Sequence, residues 1–188
     1  LKKAYRINPE NHDAWNFLAH GFISTGDTTA AIDILKKKLN KPDALTLLGK
    51  IEGVRRNYQK AGDYFSRAVS KGADPSVMVD LASVLVDNGK DKEALSVLSR
   101  YFSLKIPHSA DSWLLAGIAA KNSGDLAAAQ RYFENGEKYY PDDPIIRYNL
   151  GQIYFQSNKF EMAEKIWNGL DDSIQDPSLL YLRAINAR

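Results

Sequence analysis

The chain has 188 residues, 44% hydrophobic and 26% charged, with no cysteine and a formal net charge of +2. Those proportions lie in the globular range and exclude a disordered or collagen-like chain. The lack of cysteine excludes disulfides, thiol catalysis and the usual structural zinc sites, and so small a net charge announces no nucleic-acid partner. No apolar run approaches the roughly 18 residues that cross a bilayer, and Leu1-Lys2-Lys3-Ala4-Tyr5-Arg6 lacks a signal-peptide core. The compartment stays open between cytoplasm and periplasm. Residues 1–74 carry 13 Lys and Arg against 8 Asp and Glu, whereas residues 75–188 carry 12 against 15. The two halves of this solvated surface thus differ in sign.

In chain order, residues 1–11 read as the end of a repeat, with Ala4 in a second helix and Pro9 behind it. The first full unit, 12–41, places Trp15, Leu18 and Phe22 at helical steps of three and four. Thr25-Gly26-Asp27 then supplies the left-handed residue that ends a helix, and Ala31 with Leu35 begins a second one. Lys41-Pro42 closes this unit early. The step to the next unit is 30 residues rather than 34, a deficit of about one helical turn, so the second helix is expected to shorten around Lys36 to Asn40. Unit two, 42–74, carries Leu45, Leu48-Gly49, Ala61, Phe65 and Ala68, with Arg56-Asn57-Tyr58 as the weakest turn. Unit three, 75–109, has Met78, Leu81-Ala82, Leu85, the turn Asn88-Gly89-Lys90, then Ala94, Leu98 and Tyr101. Unit four, 110–143, has Trp113, Ala116-Gly117, Ala120, the turn Ser123-Gly124-Asp125, then Ala129, Phe133, Gly136 and Pro141. Unit five, 144–177, has Arg147, Leu150-Gly151, Tyr154, the turn Ser157-Asn158-Lys159, then Ala163, Trp167 and Leu170. Residues 178–188 read as the first helix of a further unit. Its Leu180, Tyr181, Ala184 and Ile185 are expected to contact unit five or another copy.

Two series run in lockstep through these units. Ala31, Ala61, Ala94, Ala129 and Ala163 recur at 30 to 35 residues, each followed four residues later by Leu35, Phe65, Leu98, Phe133 or Trp167. Twelve residues before each alanine stands Ala19, Gly49, Ala82, Gly117 or Gly151. Small residues let a neighbouring helix approach, and the large ones fill the next gap. A period of this length decides the architecture. The pattern resembles the tetratricopeptide repeat, whose signature sets an aromatic, Leu-Gly, Tyr, Ala, Phe and Pro at fixed spacings. It departs at Tyr101, where the family prefers a small residue. The resemblance implies an all-α, right-handed superhelical solenoid of about five helix-turn-helix units, with half-units at both ends and a single domain over 1–188. It also implies a non-catalytic, cofactor-free scaffold that binds a peptide or helix in its concave groove. The exposed half-units suggest a fragment of a longer protein. They leave open an assembly module that stacks through its ends or self-associates there, and a substrate-presenting domain joined to an enzyme.

No constellation for catalysis stands out. His12, His20 and His108 have no partner at ligand spacing, and no glycine motif cradles phosphate. Asp142-Asp143 and Asp171-Asp172 sit where helix N-termini favour acids. Lys36-Lys37-Lys38 reads as a solvated face. A ladder of base-reading polar residues is missing, which argues against nucleic acid as the partner. The partner is therefore expected to be a protein or peptide.

In the resembled family the first helices of successive units line the concave surface. Projection from the packing stripe places Asn16, His20 and Ile23 there in unit one, Thr46 and Lys50 in unit two, and Val79, Ser83 and Val86 in unit three. Unit four adds Leu114, Ile118 and Lys121, unit five Tyr148, Gln152 and Phe155, and the last helix Leu182 and Asn186. The N-terminal end is polar and the C-terminal half apolar, which marks Leu114, Ile118, Tyr148 and Phe155 as the centre of a site. Lys121 and Gln152 would fix orientation. The family's clamp for acidic C-terminal tails needs Lys, Asn and Arg along these helices. Only Asn16 and Lys50 fit it.

Overall fold

The computed structural model describes residues 2–167 and residue 170, and its regular elements are all helical. Eleven α-helices follow one another among the described residues: α1 (Lys2–Ile7), α2 (His12–Ser24), α3 (Thr28–Leu35), α4 (Pro42–Val54), α5 (Tyr58–Ser70), α6 (Ser76–Asp87), α7 (Asp91–Phe102), α8 (Ala110–Asn122), α9 (Leu126–Tyr139), α10 (Pro144–Gln156) and α11 (Phe160–Trp167). The expected all-α fold class is observed. The helix expected around Leu179 to Ile185, with Leu182 and Asn186, lies outside the described residues.

The chain divides into two compact units, residues 1–90 and 91–188. The boundary falls in the Asn88-Gly89-Lys90 turn, between the two helices of the third repeat. In the first unit each helix from α1 to α5 packs on its successor, and α4 also touches α6. Its core joins Trp15, Leu18 and Ala19 of α2 to Ala31, Ile34 and Leu35 of α3 and to Ala44, Leu47, Leu48 and Ile51 of α4. In the second unit α7 to α11 pack in the same sequential way, and α8 touches α10. There Ala120, Ala129, Phe133, Leu150, Ile153, Tyr154, Ala163, Trp167 and Leu170 form one cluster.

Short polar devices fix the helix ends. Gly26 and Gly124 adopt φ of +80° and +82° to end α2 and α8, and the next residues, Asp27 and Asp125, accept the Ala30 and Ala128 backbone N–H groups at 3.1 and 2.8 Å. One Gly-Asp pair therefore stops a helix and caps the next. Asp143 accepts from the Ile145 and Ile146 N–H groups at the start of α10. Asn158 takes the left-handed role after α10 with φ +58°. The weak turn of unit two solves the problem at a cost: Arg56 itself sits at φ +60°, where a Cβ crowds the following carbonyl. Arg56→Gly is expected to raise stability by about 1 kcal/mol, measured as a higher urea midpoint at unchanged slope. A lower midpoint would mean that the arginine side chain outweighs its backbone strain.

The small and large residues of the repeat match one another in size. A Cβ built on Gly49 would lie 2.6 Å from the Phe65 ring, and Cβ atoms on Gly117 and Gly151 would overlap the rings of Phe133 and Trp167. In the first repeat the large residue is only Leu35, and there the small one is Ala19, both fully buried. Glycine thus stands where an aromatic ring has to come up against the helix backbone, and alanine where leucine leaves room for a methyl.

The 30-residue step has the expected result. Helix α3 ends at Leu35, and a single turn of 3-10 helix, Lys36–Lys38, replaces the missing α-turn. The solvated lysine run needs correction, because Lys38 is buried at 3% exposure while Lys36 and Lys37 face water. Its ammonium pairs with Glu10 in the α1–α2 link. Tightening the turn brings every third side chain into register and swings Lys38 inward, where its stem packs and its head keeps a partner.

Candidate partner-binding face

In the first unit α2, α4 and α6 carry the expected inward residues. Asn16 is half-buried, its Oδ1 atom enclosed without a hydrogen-bond partner, and His20 is exposed one turn further on. Lys50 of α4 pairs with Asp80 of α6 at 3.4 Å. That pair places the side chains of two successive first helices on one face and neutralises the one lysine that fits a carboxylate clamp. Val79 and Val86 of α6 are half-buried. The face of this unit is accordingly polar with few free charges.

In the second unit the face is apolar. Leu114 and Ile118 on α8, and Tyr148 and Phe155 on α10, are half-buried and rest on the core cluster. Their spacings of four and seven keep each pair on one side of its helix. Lys121, one turn beyond Ile118, is half-buried. The Gln152 side-chain amide donates to the Tyr148 hydroxyl at 2.9 Å. Tyr148 and Phe155 do not stand clear of the stacking core: both rings lie against Trp167, with centroids 6.5 and 6.2 Å away and planes within 30° of parallel. Phe155 also meets Phe160 edge-on at 5.4 Å. The Trp167 indole N–H donates to the Tyr148 carbonyl at 3.0 Å. These side chains serve the face and the fold together, which spacing alone did not reveal because their support comes from the second helix of the same repeat.

Two polar arrangements escaped the sequence. His12 lies between Asp13 and Asp43, with Nδ1 3.3 Å from one carboxylate and Nε2 2.7 Å from the other. The hydrogen bond to Asp43, then that to Asp13, raises its pKa above the usual histidine value, so that as imidazolium it donates to both. Asp43 stands 31 residues after His12, almost one repeat away, and an interval of that length brings equivalent helix ends together. The second arrangement pairs the Tyr154 hydroxyl, as donor, with Glu134 at 2.9 Å. Burial, reinforced by this carboxylate, pushes the phenol pKa far up and keeps it a neutral donor. Among the described residues no group of three or more histidines and acids could hold a metal ion, and no helix is long and apolar enough to cross a membrane.

Comparison with known proteins places this geometry. Residues 122–185 match a family model described as Tetratricopeptide repeat. Cellulose synthase operon protein C of Pseudomonas fluorescens (strain SBW25) is 23% identical over 182 residues, covering 89% of this chain and 14% of that protein. The chain thus spans about one-seventh of that relative's length. Among solved structures it is similar to YrrB, described as a TPR protein with an unusual peptide-binding site. The TM-score is 0.80 at 23% identity, with 97% of each chain covered. It is also similar to pilF of Pseudomonas aeruginosa, with a TM-score of 0.78 at 18% identity over 93% of this chain and 84% of that one. At these identities the likeness is one of fold.

Proposed function

We propose that the chain, which has the fold of solved tetratricopeptide-repeat proteins and matches that repeat's family model over residues 122–185, is a protein-binding scaffold that holds an apolar segment of a partner protein on the face built by α8 and α10. The observation that carries this reading is the set of four half-buried apolar side chains, Leu114, Ile118, Tyr148 and Phe155, on two first helices in contact. Lys121 and Gln152 give the face a polar edge that would orient the segment.

Magnitudes favour reversible recruitment. Three or four partner side chains buried on such a face contribute roughly 1.5–3 kcal/mol each, and ordering the segment removes several kcal/mol, leaving affinity on the order of micromolar. Identity of 23% with a cellulose synthase operon protein is a level that repeats share through their packing positions, so no substrate is carried over from it. The test is capture of the natural partner from its own source, repeated with Leu114 and Ile118 both replaced by alanine. Binding is expected to weaken at least tenfold while the helical circular-dichroism signal stays intact. Unchanged binding by a folded double variant would reject this face.

A further inference from the structure

The junction between the first two repeats is built differently from those that follow. Its second helix, α3, has 8 residues, where α5, α7 and α9 have 13, 12 and 14. A shorter helix offers less apolar surface to the next repeat, so polar contacts carry a larger share of this junction. Each end of α4 is tied back to the first repeat. Arg55, just after α4, donates to Thr28 Oγ1 at the start of α3 at 2.9 Å, and at the other end His12 Nε2 meets Asp43 at 2.7 Å. His12 Nδ1 faces Asp13 at 3.3 Å. Both partners of the ring are carboxylates, which accept and cannot donate when ionised. A neutral imidazole has one N–H and turns a lone pair on one of the two carboxylates, whichever tautomer it takes. The arrangement is therefore complete only as imidazolium. The ring also stands edge-on to Trp15 at 5.0 Å and 79°, and Trp15 is fully buried in the first core.

We propose that His12 is a pH-sensitive clasp between the first two repeats: as imidazolium it ties the start of α2 to the start of α4, and on losing its proton it lets α2 and α3 open from α4. The clasp lies within the first unit and does not depend on the α8–α10 reading. Both helices turn the positive ends of their dipoles toward this point, which opposes a cation, so the two carboxylates are what retain the proton. The hydrogen bond to Asp43, then that to Asp13, raises the pKa. The contact is thus fully present below about pH 6.5 and is lost as pH rises through the raised value. On the neighbouring elements, Arg6 ends α1, Asp33 lies on α3, Lys41 precedes α4, and Glu10 pairs with Lys38. Side chains of these types titrate well away from neutrality. His20, two turns further along α2, titrates in the same range as His12, and a His12 variant separates the two. His12 and Asp43 are about half exposed, so the contact is a weak one whose loss opens the junction locally and leaves the unit folded.

The test follows backbone hydrogen exchange of the whole chain at about pH 6 and about pH 8, with rates corrected for the intrinsic effect of pH on exchange. Opening of amides in α2 and α3 is expected to rise at least threefold at the higher pH, while amides in α8 to α10 keep their protection. His12→Asn and Asp43→Asn should each abolish the difference, giving the higher opening at both pH values. Both positions are exposed enough that the variants fold. In parallel, the His12 ring followed by NMR is expected to titrate above the ordinary histidine value and to shift down in Asp43→Asn. Opening of α2 and α3 that ignores pH, a pH effect that persists in His12→Asn, an equal change across α8 to α10, or a His12 midpoint indifferent to Asp43→Asn would each overturn the proposal.

Discussion

Trp167→Ala is expected to lower the stability of the second unit by about 3–5 kcal/mol, the range for removing a buried aromatic side chain whose site cannot collapse. Several contacts are lost together. Trp167 is 1% exposed, fills the space that a Cβ at Gly151 would take, and supports the rings of Tyr148 and Phe155. Gly151 has no side chain with which to refill the space, and helix α10 cannot approach α11 without dragging Leu150 and Ile153 out of the same cluster. Trp167→Phe separates packing from hydrogen bonding. It keeps most of the ring and drops the donor to the Tyr148 carbonyl, so its cost should be nearer 1–2 kcal/mol, roughly the value of one hydrogen bond plus a few lost contacts. Urea denaturation followed by far-ultraviolet circular dichroism measures both. A loss below 1 kcal/mol for Trp167→Ala would show that this ring does not anchor the unit, and that the α8–α10 face is held by other means.

That ring also shows where the sequence was legible and where it stopped. The repeat period, the helix ends at Gly26, Gly124 and Asn158, and the shortened α3 follow from local chemistry: left-handed residues, proline positions and a step of 30 residues. The buried stripe was equally plain, because Trp15, Leu18 and Leu48 keep helical spacing and are all in the core. Contacts that skip along the chain were not. His12 reaches Asp43, Lys38 reaches Glu10, and Tyr140 reaches the His108 carbonyl, and in each case neither residue announces the other. Projection put Tyr148 and Phe155 on one helix face, yet a projection cannot distinguish a side chain that points to water from one that leans on the neighbouring helix, as both rings do on Trp167.

Gly117→Ala is expected to destabilise the second unit by about 1–2 kcal/mol even though alanine is the better helix former by about 1 kcal/mol. The sign is what makes the experiment decisive. If the glycine were only a tolerated helix interior, the substitution would stabilise. The added methyl instead overlaps the Phe133 ring, which is fully buried and cannot swing aside, and overpacking of this kind costs about 1–3 kcal/mol before the gain in propensity is counted. Phe133→Leu alone should cost about 1–2 kcal/mol through the space it vacates. Made together, the two substitutions recreate the Ala19 and Leu35 pairing of the first repeat, with the methyl occupying part of the space left by the ring. The double variant should be no less stable than Phe133→Leu, giving a coupling of about 1–3 kcal/mol in a double-mutant cycle. Additivity within about 0.5 kcal/mol would mean that the two positions do not sense each other's size, and that the alternation of glycine with aromatics and alanine with leucine along this chain has no packing cause.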